Sequence, residues 1–316
     1  MLRKKTLAKT SFFALFLYMP HDRIMSVLMI FIDGIGIGEF DKDKNPFARL
    51  LSPFFPEFIG HSNGSVAFDG QVVPTDPSMG VKGLPQSATG QTALLTGCNS
   101  AQALDRHWPG FPTVTLRKIL AEESIFLKLE KSGKKATFAN AFSPQYFKRP
   151  ERSISATTWS VRASNFPFLM IEPELLNGEA ISHDLTNTFL SKMGFEVPIR
   201  TPETSAEILV RIATSVDFCL FEYFLTDLVG HSQEMDWAEV ELDKLNRFLQ
   251  TVLSQIDLNE NLVLLTSDHG NFEDLSVSTH TINFVPTVFW GKNQKSLADQ
   301  ISRIEDVPKA ILGYLK

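Results

Sequence analysis

The six residues 266–271, TSDHGN, follow directly on the apolar run LVLL at 262–265. An apolar run that ends on Asp268-His269 puts metal-ligating, proton-carrying side chains at the end of a buried strand. Two other runs end on acids. SVLMIFI, residues 26–32, ends on Asp33, and FCLFEYFL, residues 218–225, ends on Thr226-Asp227. In open α/β sheets, ligands bind beyond the carboxyl ends of the strands. A single acid there is commonly a helix N-cap. Three converging acids, with histidines beside two of them, would repel one another and resist desolvation if left unpaired. A pair of divalent cations resolves that conflict.

Spacing extends the set. Asp227 and His231 stand four residues apart, so a helical turn after the strand lets both meet one ion. Asp268 and His269 point opposite ways on an extended strand, but at a turning strand end they can reach one ion or two neighbouring ones. His280, in HTINFVP, follows a short loop that can return it to the same place. A nucleophile for phosphoryl chemistry is offered by GLPQSATGQT, where Ser87 and Thr89 fall at an expected helix N-terminus. Such a terminus presents N–H groups and a positive dipole end to an anion. Asn271 and Asn283 are candidates for orienting metal ligands. Arg106 and His107, in DRHWPGFP, are candidates for holding an anionic end of a substrate; the competing reading is a surface loop anchored by Trp108. Arg149 and Arg152 read as a solvated loop, and His183-Asp184 falls in an irregular stretch apart from the other motifs.

The elements that must position these residues follow from pattern. Apolar runs at 26–32, 218–225, 261–266 and 286–290 read as buried strands, with a further one in ATFANAF (135–142). Between them, 114–132 reads as one amphipathic helix stopped by Gly133, and 202–215 and 236–256 as two more. Strands alternating with helices predict a doubly wound, mostly parallel α/β sheet. Residues 148–200 are richer in Ser, Thr, Arg and Pro and less regular, and read as a small insertion or cap. The predicted division is an N-terminal extension (1–24), a core (25–147 with 201–316) and the insertion (148–200). Most of the 26 phenylalanines read as core.

The bulk composition is that of a globular protein and leaves room for a small phosphorylated substrate. The 316 residues are 43% hydrophobic and 21% charged, an ordinary globular balance. A net charge of -6 excludes an extended nucleic-acid surface, while bound metal supplies positive charge locally. Cys98 and Cys219 form no CxxC pair, which speaks against a thiolate zinc site and for two reduced thiols. The first residues combine basic MLRKK with apolar SFFALFLYM. The run is too short to span a bilayer, and no small-x-small cleavage site follows it. A cytoplasmic protein with a dispensable extension is the expectation, and export through a signal segment the alternative.

These motifs, in this order, resemble the alkaline phosphatase superfamily, in particular its branch of cofactor-independent phosphoglycerate mutase and phosphopentomutase. The residues carrying the resemblance are Asp33 in FIDGIG, Ser87 in QSATGQ, Asp227 and His231 in TDLVGH, Asp268 and His269 in SDHGN, and His280 in HTINFVP. The resemblance implies an alkaline-phosphatase-like fold and two divalent ions, zinc or manganese. It implies that Asp227, His231 and His280 bind one ion and that Asp33, Asp268 and His269 bind the other. Ser87, three residues before Gly90, corresponds to the family nucleophile, which selects it over Thr89. Two departures are evident: the mutases carry a histidine where this chain has Gln91, and they carry a large inserted domain. A mutase must keep water from its phosphoenzyme, so the smaller insertion favours a phosphatase or phosphoesterase acting on a small phosphorylated substrate. A phosphomutase is the first alternative, and a non-catalytic metal-binding scaffold is the alternative of another class.

Overall fold

A computed structural model describes residues 26–316; the basic and apolar leading segment lies outside the described residues. Among them are eight strands: β1 (Val27–Ile32), β2 (Glu57–Phe58), β3 (His61–Ser62), β4 (Gln71–Thr75), β5 (Ala136–Phe138), β6 (Phe218–Tyr223), β7 (Leu262–Thr266) and β8 (Val285–Gly291). The eleven α-helices are α1 (Pro46–Arg49), α2 (Ser87–Thr96), α3 (Val114–Glu123), α4 (Ile125–Lys131), α5 (Ala156–Arg162), α6 (Thr188–Lys192), α7 (Pro202–Ala213), α8 (Leu225–Ser232), α9 (Met235–Gln255), α10 (Gln294–Ala298) and α11 (Val307–Tyr314). Six strands form one sheet in the order β4-β8-β7-β1-β6-β5. The central strands β7, β1, β6 and β5 run parallel, and β8 and β4 complete one side antiparallel. The α/β architecture expected from the sequence is the one observed.

The continuous apolar runs become central strands because both sheet faces are covered. Leu28, Ile30 and Ile32 of β1 join one core with Cys219, Phe221, Val263 and Leu265. Val27, Met29 and Phe31 join another with Phe218, Leu220, Leu262 and Leu264. Helices α7 and α9 cover the first face, and α2, α4 and α11 contribute to the second.

The region read as one helix over 114–132 is two helices, α3 and α4, broken at Ser124. Ser124 leaves helical geometry, its hydroxyl caps Phe126 N (3.1 Å), and the same hydroxyl donates to Ser160 O (2.7 Å) on α5. The apolar periodicity carries on through the break, which is why the pattern hides it. Residues 148–200 hold short helical pieces around a small core of Ile171, Leu175, Ala180 and Leu190. Single bridges, Asn140 with Ile181 and Phe142 with Met170, continue the line of β5 into this segment. Its helix α5 packs Ala156 and Val161 into the second core. Among the described residues, no helix is long and apolar enough to cross a membrane.

Candidate metal centre and active-site cleft

The three acids meet because their strands are neighbours. β7, β1 and β6 are adjacent and parallel, with Phe31 opposite Thr266 and Ile32 opposite Tyr223. Asp33, Asp268 and Asp227 therefore leave the sheet at one edge. After β6 the chain turns straight into α8, which places Asp227 one turn from His231, Oδ2 to Nε2 3.5 Å. After β7, an antiparallel bridge between Gly270 and Thr281 brings the chain back and sets His280 Nε2 3.5 Å from Asp227 Oδ1. His269 Nε2 stands 3.3 Å from Asp33 Oδ1 and 3.4 Å from Asp268 Oδ2. The His269 and His280 rings stack at 3.7 Å.

Ligand atoms of Asp33, Asp268 and His269 lie within 4.8 Å of one another, as do those of Asp227, His269 and His280. His231, 5.2 Å ring to ring from His280, flanks the second group on its solvent side. The sequence-derived partition puts His269 with Asp33 and Asp268 alone; in the structure His269 sits between the two groups.

Several observations fit this set to cations. Asp33 Oδ1 and Asp268 Oδ2 are buried without a hydrogen-bond partner, a costly state for carboxylates that a bound ion relieves. Burial, then repulsion from neighbouring carboxylates (Asp268 and Asp227 on Asp33, Asp227 on Asp268), pushes Asp33 and Asp268 well above the usual carboxylate range. Burial together with the neighbouring His280 holds His269 well below the usual imidazole value, so its ring is neutral. His231 Nδ1 lies 2.9 Å from Ser278 O and His280 Nδ1 2.9 Å from Pro85 O. A carbonyl only accepts, so in each ring Nδ1 carries a proton and Nε2 is the nitrogen turned toward the carboxylates, the one whose lone pair a cation can take. Lone pairs and carboxylates facing each other are repulsive until a cation stands between them.

Ser87 is the first residue of α2, and its side chain makes no cap. Its hydroxyl lies 3.1 Å from His269 Nε2, facing the cluster. Thr89, fully buried, instead donates to Gln86 O (3.0 Å) and accepts from Trp108 N (3.3 Å). Gly90 lets α2 come this close: a Cβ there would stand 2.7 Å from Asp268 O. Gln91, in the position of the mutase histidine, donates from Nε2 to Asp33 Oδ2 (3.0 Å). Gly34 has φ +75°, and its N–H reaches back to Asp268 Oδ1 (3.4 Å).

Two buried acids passed over in the sequence stand at this site, and the first holds its loops together. Glu273, fully buried, accepts from Gly36 N (2.8 Å), Asn271 N (2.8 Å), Asn283 Nδ2 (3.0 Å) and Thr281 Oγ1. It thereby ties the loop after β1 to both limbs of the loop that carries His269 and His280. Burial pushes its carboxyl up, against the pull of its donors. Glu222, on β6, is a buried acid beside the site whose carboxyl burial pushes up to about 7. An acid inside the apolar run FCLFEY was its visible signal. Asn271 touches a candidate ligand, donating to Asp227 Oδ1 (2.7 Å), whereas Asn283 reaches Glu273 instead.

A cleft of about 560 Å³ opens from Asp33, Ser87 and Asp227. Its far walls come largely from residues 138–195, including Phe142, Arg149, His183 and Phe189. Arg106 and His107 do not line it: the Arg106 guanidinium lies over Trp108 at 4.7 Å, and His107 Nε2 faces Val81 O at 3.2 Å. His183-Asp184, apart from the motifs in sequence, brings its imidazole into the cleft wall.

Comparison with known proteins accords with this geometry. The Metalloenzyme superfamily matches residues 190–313, a span that includes Asp227, His231, Asp268, His269 and His280. The 2,3-bisphosphoglycerate-independent phosphoglycerate mutase of Ehrlichia canis is 29% identical over 36% of this chain and 25% of its own. The phosphopentomutase of Alkaliphilus metalliredigens is 30% identical over 25% of this chain and 22% of its own. The chain thus spans about a quarter of the length of these relatives. In fold, the alkaline phosphatase from the Antarctic bacterium TAB5 superposes over 91% of this chain and 97% of its own, with a TM-score of 0.54 at 13% identity. The chain thus matches the Metalloenzyme superfamily over residues 190–313, within a fold like that of alkaline phosphatase.

Proposed function

We propose that the chain is a phosphatase or phosphoesterase that cleaves a small phosphorylated substrate through a phosphoserine on Ser87. The observation that carries the reading is the Ser87 hydroxyl, free of capping duty and 3.1 Å from His269 at the floor of a cleft that also exposes Asp33 and Asp227. Asp227, His231 and His280 would hold one divalent ion, and Asp33, Asp268 and His269 the other, zinc or manganese by donor type. When bound, the ions supply the positive charge that makes a serine hydroxyl nucleophilic at neutral pH and stabilises the transferring phosphoryl group.

The chain's own residues do the rest. Ser87 Oγ forms the new P–O bond as the substrate alcohol leaves with its oxygen. Water then breaks the Ser87–phosphoryl bond, so that ester and water give alcohol and phosphate. The N–H groups opening α2 point toward the anion that arrives at Ser87. Asn271 fixes Asp227, Gln91 fixes Asp33, and Glu273 fixes the loops between them. Exposure at the cleft supports water as acceptor: among the described residues, Phe111 and Phe189, 46% exposed each, and Met193, 59% exposed, stand in solvent.

The mutases among the relatives support a second reading, in which a substrate hydroxyl takes the phosphoryl group back. The test is metal content of the purified full chain by elemental analysis, with phosphate release from phosphomonoesters and a phosphodiester in added Mn²⁺ or Zn²⁺. About two ions per chain, with turnover that Ser87→Ala lowers by roughly 10³-fold or more, is expected. Two ions with isomerisation of phosphosugars or phosphoglycerates and no release would establish the mutase reading. A chain without metal under these conditions overturns both. A metal-binding scaffold would keep its metal and show no turnover to lose.

A further inference from the structure

The cleft carries more than the reacting groups, and its far half is built unlike a sugar site. We infer that the substrate's alcohol portion bears a flat aromatic ring, seated in a chamber formed by Phe111, Phe142, Phe189, Phe195, Phe224 and His183. The inference rests on the phosphoryl-transfer reading for the phosphate end alone.

Three observations carry it. The first is size: about 560 Å³ lies within the ~300–1,000 Å³ of pockets that enclose drug-sized ligands, far beyond what a phosphoryl group and a short polyol fill. The second is the state of the polar groups in the wall. Asn140 spends its amide on the Glu222 backbone, donating to O (2.7 Å) and accepting from N (2.9 Å). The Tyr146 hydroxyl is engaged with Ser155 and Thr158, and Gln91 with Asp33. A polyhydroxylated substrate needs many unspent donors and acceptors, whereas these three side chains are spent within the protein and the ring wall keeps His183 Nε2 as its buried polar atom without a partner. The third is the geometry of the rings. His183 lies flat on Phe224, centroids 4.4 Å apart and planes at 15°, with Phe189 edge-on at 4.9 Å. Phe142 stands in a second aromatic group with Phe138 and Tyr146 on the same cleft. Ring faces and edges of this kind pack best against another flat ring. Two of the six, Phe111 and Phe189, remain half exposed, as apolar residues at a binding site do.

The experiment compares esters whose leaving oxygens are chemically alike: propyl, hexyl and 3-phenylpropyl phosphate, with the full chain loaded with Mn²⁺ or Zn²⁺. The ring-bearing ester is expected to exceed propyl phosphate in kcat/KM by about tenfold or more, as burial of a ring predicts, and to exceed hexyl phosphate as well. Phe189→Ala, at a half-exposed position, should bring the phenylpropyl-to-propyl ratio down several-fold; taken within one preparation, the ratio is independent of the fraction folded. Equal rates for propyl and phenylpropyl esters overturn the chamber, and equal rates for hexyl and phenylpropyl esters overturn the ring. Binding of the three corresponding phosphonates, followed by calorimetry, separates this inference from the proposed reaction. If no ester is cleaved but the phenylpropyl phosphonate binds preferentially and Phe189→Ala removes the preference, the chamber stands and the hydrolytic reading fails. If that phosphonate does not bind, the chamber fails whatever the turnover.

Discussion

The two ends of the cleft are held by different physics. At the sheet edge, Asp33, Asp227 and Asp268 sit among hydrogen bonds that leave little freedom. Gln91 holds one, Asn271 another, the Gly34 amide a third, and Glu273 clamps the loops beneath. At the far end, contacts between rings dominate, and the chain there runs in short helical pieces around a small core of its own. Directional bonds at the first end fix atoms to within tenths of an ångström, as the handling of charge requires. Packing at the second end excludes water and tolerates exchange of one apolar side chain for another of similar size. On the proposed reading, chemistry is set at the rigid end and choice of substrate at the adaptable one.

That contrast is easiest to break at the rigid end. Asp268→Ala removes a fully buried acid on which the candidate ion set depends; metal content by elemental analysis should fall and phosphate release drop by roughly 10³-fold or more. Retention of both would refute the role given to the sheet edge. Next comes Glu273→Gln, which touches no candidate ligand but turns an amide N–H₂ toward donors. Unfolding in urea should show a loss of about 1–3 kcal/mol, with metal affinity weakened about 10–100-fold. A variant with wild-type stability and affinity would show that the clamp is idle.

Proton linkage sharpens the contrast further. In the metal-free chain Asp33 and Asp268 hold their protons to higher pH than ordinary carboxylates. Their raised values favour the fold most below the ordinary carboxylate pKa, and that contribution is lost as pH rises through the raised values. Cations must displace those protons, so metal affinity should fall as pH is lowered, and binding should release protons to the buffer. Calorimetric titrations at about pH 6, 7 and 8, in two buffers of different ionisation enthalpy, measure both; affinity independent of pH would contradict the buried-acid picture. The smallest effect belongs to Arg106→Ala. Arg106 lies over Trp108 outside the cleft, so kcat/KM should stay within about twofold of wild type. A large rise in KM would return it to the substrate site.

The same contrast governs how much of the molecule is legible in the sequence. Asp33, Asp227 and Asp268 stand out because an acid closing an apolar run is costly to bury unless something pairs it, and adjacency of β7, β1 and β6 does the rest. Glu273 looks like any loop acid until its four donors are seen, since they come from segments over two hundred residues apart. Among the described residues only about half of the phenylalanines are buried core, fewer than their abundance suggests. Nothing in local pattern separates Phe221, buried in the sheet, from Phe189, half exposed at the cleft. Similarly, Ser124 breaks a helix through a bond to α5 that no periodicity contains. Charge is scarce in interiors and so announces itself, whereas apolar residues serve core and cleft alike.

One consequence of Glu273 concerns how the candidate centre would acquire metals. The carboxylate that knits the two loops is not among the candidate ligands, so protein–protein hydrogen bonds hold those loops in place. Loading is then expected to proceed by displacement of protons by ions that fit, without refolding. Stripped by a chelator, the chain should retain its shape and accept different divalent ions in turn. The ion it carries in a cell is accordingly a matter of supply as much as of sequence.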